Sequence, residues 1–157
     1  MYNEGKTIYK TARKTTEFTQ EDAADSLFRS LQSIQDYEQG RTIPPDDVVC
    51  DMARLYNTPW LAYLHLKTNN PAGFEHLPLI ESRSLSKGIL NLRVELHHLS
   101  KILHELEEIA KDDLVDDNEQ PTWQNGMNQL DNLLTAALSI KFISLKAKPP
   151  ARGRRVL

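Results

Sequence analysis

The sequence predicts an all-α protein in two parts, five short helices followed by a long helical hairpin. Three observations carry this reading. Between Phe18 and Gly40, the run FTQEDAADSLFRSLQSIQDYEQG holds helix-start signals at Thr19 and Ser30 and a helix-stop glycine at Gly40. From Leu85 to Ala110, apolar residues recur at alternating steps of four and three. After Pro121-Thr122, the residues Trp123, Met127, Leu130, Leu134, Leu138 and Leu145 supply the inner face of one more helix.

Taken in order, residues 1–6 read as a loose arm. Thr7 to Glu17 reads as helix 1, with Ile8 and Ala12 inward and Lys10, Arg13 and Lys14 outward. Helix 2 starts after Thr19, where Thr19 and Asp22 match the capping-box pattern and Ala23, Ala24 and Leu27 form an apolar face. Helix 3 opens at Ser30, carries Ile34 and Tyr37 inward, and stops at Gly40. Arg41 to Pro45 is a loop, because paired prolines forbid a helix. Asp46 to Tyr56 is helix 4, with acids at the end the dipole favours and Asn57 as a left-handed stop. Thr58-Pro59 is expected to cap and start helix 5, which Trp60, Leu61 and Leu64 pack down.

Composition sets limits. The chain of 157 residues suits one or two small domains, and 39% hydrophobic with 26% charged residues reads as globular. No run approaches a membrane span and no signal-peptide pattern opens the chain, so a cytoplasmic protein is expected. Cys50 is the only cysteine, which excludes an intrachain disulfide; with Val49 and Met52 beside it, a packed, inert thiol is expected. The net charge is −3, and up to Leu66 ten acids outnumber seven bases. A DNA-binding reading therefore requires the charge to be segregated.

Helices 2 and 3, joined by a few residues, have the helix-turn-helix outline. The stretch resembles the phage-repressor-like, Cro/XRE type of helix-turn-helix domain. The residues that carry the likeness are Thr19-Gln20-Glu21, Ala24, Leu27, Ser30, Ile34, Tyr37-Glu38 and Gly40. It continues through Pro44, Met52-Ala53 and Trp60-Leu61-Ala62-Tyr63-Leu64. The likeness covers about residues 7–66 and implies a five-helix, lambda-repressor-like fold. Phe28 stands where the family usually has glycine, and Arg29 where it has a small apolar residue. Phe28 at a positive φ would be strained, so either a slightly different turn or a Phe28 tucked against a neighbour is expected.

Residues 67–81 read as a linker, on Pro71, Gly73 and Pro78, with Leu77, Leu79 and Ile80 laid on something apolar. Residues 82–147 read as the hairpin. Its first helix, about 45 Å long at 1.5 Å per residue, carries the stripe Leu85, Ile89, Leu92, Leu96, Leu99, Leu103 and Leu106. Leu90, Val94, Ile102 and Ile109 widen that stripe beyond a two-stranded seam, so homodimerisation into a four-helix bundle is expected. An acidic loop, 112–120, joins the helices, and residues 148–157 read as a basic disordered tail.

The resemblance implies a bacterial or phage transcriptional regulator, most simply a repressor, that holds a palindromic double-stranded operator as a dimer. Helix 3 is then the recognition helix, offering Ser30, Leu31, Gln32, Ser33, Gln35 and Asp36 to base edges. Gln32 suits adenine, Leu31 a thymine methyl and Asp36 a cytosine amine. The resemblance assigns Gln20 to a backbone phosphate, and Arg13, Arg29 and Arg41 add charge contacts. The alternative is a protein–protein interaction module that keeps the fold without reading DNA, favoured by the acidic balance. The run His104-Glu105-Leu106-Glu107-Glu108 is a near miss to a zinc-binding pattern without a third ligand. The chain carries neither a nucleophile-elbow pattern nor a phosphate-binding glycine loop, so neither enzyme, cofactor nor metal is expected. No small-molecule effector is legible.

Overall fold

The computed structural model describes residues 7–80 and 84–143. The expected arm, the basic tail and Leu145 lie outside the described residues. Within them the chain is all-helical: α1 Ile8–Arg13, α2 Gln20–Ser26, α3 Leu31–Gln39, α4 Asp46–Leu55, α5 Trp60–Asn69, α6 Pro71–His76, α7 Leu85–Ile109 and α8 Gln120–Lys141, with a 3-10 turn at Ala110–Asp112.

The start signals at Thr19 and Ser30 work as the sequence implies, and Thr7 acts in the same way. Thr7, Thr19 and Ser30 each accept a hydrogen bond from a backbone N–H of the first turn they open. Thr19 and Asp22 complete the capping box in both directions. Helix 1 is shorter than expected: after Arg13 the chain turns, held by Thr15 and Thr16 hydroxyls that donate to the carbonyls of Ala12 and Arg13. Such local bonds compete with helix continuation. Helix 5 starts without the expected Thr58 cap: Pro59 takes the cap position, and the buried Thr58 hydroxyl has no hydrogen-bond partner among the described residues.

Ala12, Ala23, Ala24, Ile34, Val48, Val49, Met52, Tyr56 and Leu61 close one core among the first five helices. A second cluster forms where α5 turns its other side outward. Tyr63, Leu64 and Ile80 are buried there, with Leu77, Leu138 and Phe142 packed on them. The Tyr63 and Phe142 rings lie 4.9 Å apart. The end of α8 therefore leans on α5, which explains why α5 is apolar on more than one face.

The segment read as a linker is largely helical. Helix α5 runs on to Asn69, and Asn70 caps α6 by accepting from the N–H groups of Ala72 and Gly73. Pro71 and Gly73 mark a helix start and a close approach here instead of a break. A Cβ on Gly73 would lie 2.1 Å from the Leu66 carbonyl oxygen. Gly73→Ala should thus push α6 off α5 and cost about 1–3 kcal/mol, an overpacking penalty. Thermal melting checks this; an unchanged midpoint would contradict the contact.

Helices α7 and α8 run antiparallel, since Gly88 lies against Ile140 and Gly126 against Leu106. Gly88, Ile102, Ile109, Gly126 and Ala136 are buried along the contact. The predicted stripe splits. Leu92, Leu99 and Leu106 are half-buried, whereas Leu85, Ile89, Leu96 and Leu103 are exposed. Leu106 is committed to the hairpin itself, over Gly126. No helix among the described residues is long and apolar enough to cross a membrane.

Candidate nucleic-acid interface

The α2–α3 pair is built by its ends. Helix α2 closes with the Arg29 N–H donating to the Ala24 carbonyl (2.9 Å) and the Phe28 N–H to the Asp25 carbonyl (3.3 Å). That is a Schellman closure, which needs a left-handed residue at its centre. Gly40 (φ 73) ends α3 in the same way, and Asn57 (φ 50) ends α4. In the two-helix turn the left-handed residue is Phe28, at φ 52, with its side chain 93% exposed. Both expectations for Phe28 are overturned. The turn is the glycine-type turn, and the ring is not tucked against any neighbour among the described residues. The two carbonyl hydrogen bonds and the packing of α2 on α3 outweigh a left-handed penalty of about 1–2 kcal/mol.

Helix α3 packs on α1 and α2. Ile34, Tyr37 and Glu38 are its buried residues. Ser30 and Gln32 are exposed, and Leu31, Ser33, Gln35 and Asp36 are half-buried, Leu31 lying against the core. Gln32 Nε2 donates to Asp36 Oδ1 (2.9 Å), and Arg41 Nη1 donates to the same oxygen (2.8 Å). The Asp36 carboxylate is therefore partly compensated on the surface it would present to phosphate. Arg41 is correspondingly engaged. Arg29, also exposed, makes no ion pair with a described residue.

Two residues expected at phosphates are placed elsewhere. Arg13 does not face outward. It is buried, with Nε 2.5 Å from Glu38 Oε1, Nη2 2.9 Å from Oε2, and Nη1 donating to the Phe18 carbonyl at 2.8 Å. Gln20 is half-buried and its Nε2 donates to Glu38 Oε2 at 2.8 Å. Glu38 is the common acceptor, and its side chain is only 3% exposed. Burial alone would raise its pKa. The hydrogen bonds from Arg13 and Gln20 and the charges of Arg13 and Lys10 overcome that and hold it below the ordinary 4.5. The Arg13 guanidinium is raised in turn, chiefly by its bond to Glu38.

Sequence reasoning used Glu38 only as part of the family likeness and not as an ion-pair partner, although it lies four residues after the core residue Ile34 and so shares its helix face. His65 was missed for the same reason, standing at Leu61 plus four. It is buried between α1, α4 and α5. Asp46 Oδ1 lies 2.8 Å from its Nε2, and Tyr9 Oη lies 2.8 Å from its Nδ1. A carboxylate only accepts, so Nε2 carries the proton, and in the neutral ring Nδ1 accepts from the tyrosine hydroxyl. Burial pushes Tyr9 up to about 12, with Asn69 opposing the rise and Asp46 adding to it. Cys50, expected to be packed, is exposed, because Val48, Val49 and Met52 take the inner face of α4.

His98 and His104 each lie near a glutamate of α7, Glu95 at 3.5 Å and Glu107 at 3.8 Å. Among the described residues no three His, Cys, Asp or Glu converge as a metal site would require.

No curated protein and no solved structure matches the chain. Residues 10–61, from within α1 to the start of α5, about a third of the chain, match the model of a family described as a helix-turn-helix domain.

Proposed function

We propose that the protein is a sequence-specific regulator of transcription of bacterial or phage type. It binds double-stranded DNA as a homodimer in the cytoplasm, most simply as a repressor on a palindromic operator. The observation that carries this reading is the open N-terminal half of α3, where Ser30 and Gln32 are exposed, preceded by an exposed Arg29 that has no ion pair among the described residues. In a helix-turn-helix reader that end of the second helix meets base edges. Gln32 must exchange its bond to Asp36 for adenine, a swap of one hydrogen bond for two.

The test is a fluorescence titration with random-sequence duplex at low salt, followed by selection of preferred sites from a random pool. Binding should weaken steeply as salt rises. Gln32→Ala should lower affinity for the selected site by about 1–3 kcal/mol and leave random-duplex affinity almost unchanged. An equal loss on both would deny Gln32 a base-reading role.

A second reading, an interaction module that keeps the fold, is favoured by one observation. Arg13 and Gln20 are drawn into Glu38 and away from the surface. Under that reading random duplex is not bound even at low salt.

A further inference from the structure

We propose that Phe28 reads thymine methyl groups at the rim of the major groove, an inference that rests on the DNA-binding reading above. The residue is costly to the fold twice over. It holds a left-handed backbone that favours glycine, at φ 52, and its ring is 93% exposed, so burial returns nothing. Asn57 solves the same closure at the end of α4 with a residue suited to it. A ring kept in such a position serves something outside the domain.

Its place says what. Phe28 stands two residues before Ser30, the cap of α3, and next to Arg29, whose guanidinium has no partner among the described residues. When the start of α3 enters a major groove, this turn arrives at the groove's edge. Arg29 can take a phosphate there. An apolar ring gains nothing from phosphate or from the hydrogen-bonding base edges. The apolar surface a major groove offers is the C5-methyl of thymine. The ring's exposed area is removed from water against it.

The probe is a duplex selected by the wild-type protein from a random pool, compared with the same duplex carrying deoxyuridine for thymine, which removes only the methyl. Phe28→Gly should melt at the same temperature or higher, because glycine adopts φ 52 without penalty. It should bind the thymine duplex about tenfold more weakly. Its salt dependence should stay that of the wild type, because no phosphate contact is lost. Most of the thymine-over-uracil preference of the wild type should vanish in the variant. Wild-type affinity in Phe28→Gly, or a uniform loss on both duplexes, would overturn the inference and leave the DNA reading standing. A wild-type protein that selects no duplex at all would sink the DNA reading, and this inference with it.

Discussion

Glu38→Gln should be the most damaging single substitution in the helix-turn-helix domain, lowering stability by about 3–5 kcal/mol. The Arg13 guanidinium would stay buried with its charge uncompensated. Gln20 and Arg13 would share one neutral acceptor where they now have a carboxylate. In a chain of this size that loss moves the melting midpoint by about 10 °C. Removing both partners should do less harm than removing one. Arg13→Met with Glu38→Leu fills the space with apolar atoms and leaves no buried charge behind, so it should recover most of the loss. A single variant that melts like the wild type would show the pair to be solvated. The pH dependence has a definite sign. The folded-state pKa of Glu38 lies below its ordinary value of 4.5, so the contribution is fully present above that value. It disappears as pH falls through the depressed value. Acid melts of the wild type should therefore lose stability in that window, and Glu38→Gln should lack this component.

The second large effect belongs to the hairpin. In the homodimer proposed above, Ile89→Lys with Leu96→Lys should convert the dimer into a monomer in sedimentation equilibrium while leaving the helical signal nearly intact. Both side chains are about half exposed in one chain, at 52% and 51%, so their removal barely touches the intrachain contact. Periodicity explains why they are candidates for a second copy. On α7, Ile89 and Leu103 each follow a buried residue, Gly88 and Ile102, by one step. On α8, Leu134 follows the half-buried Leu133 by one step. One step turns about 100° about a helix axis. Because α7 and α8 are antiparallel, both rows turn to the same side of the hairpin. Leu85, Ile89, Leu96, Leu103, Leu130 and Leu134 thus form one exposed apolar face. In the proposed homodimer a second copy covers this face and completes a four-helix bundle. The monomeric variant should bind a palindromic site about a hundredfold more weakly, because the second half-site no longer acts at high effective concentration. A wild-type chain that sediments as a monomer at micromolar concentration would refute this arrangement.

Much of the fold is legible because its signals are local. A threonine followed three residues later by an aspartate satisfies two N–H groups within one turn, and Thr19 and Asp22 do so. Gly40 and Asn57 end helices because the left-handed region admits them. The failures share a different cause. Arg13, read as outward from its charge, found a buried carboxylate 25 positions away. Pro71 and Gly73, read as breakers, serve a helix start and a close contact because α5 is there to receive α6. Phe28 was expected to escape strain, yet the packing of α2 on α3 imposed the glycine-type turn on it.

By itself the sequence determined the helices other than α6, the caps at Thr19, Ser30 and Gly40, the order of α2 and α3 and the heptad pattern, since each depends on residues within about a turn of one another. Only the tertiary structure decided which charges remain free, where Arg13 and Gln20 bond, and which leucines of the stripe stay exposed. Those outcomes depend on groups far apart in the chain meeting in a low-dielectric interior, where a carboxylate must find its partners whatever their distance in sequence.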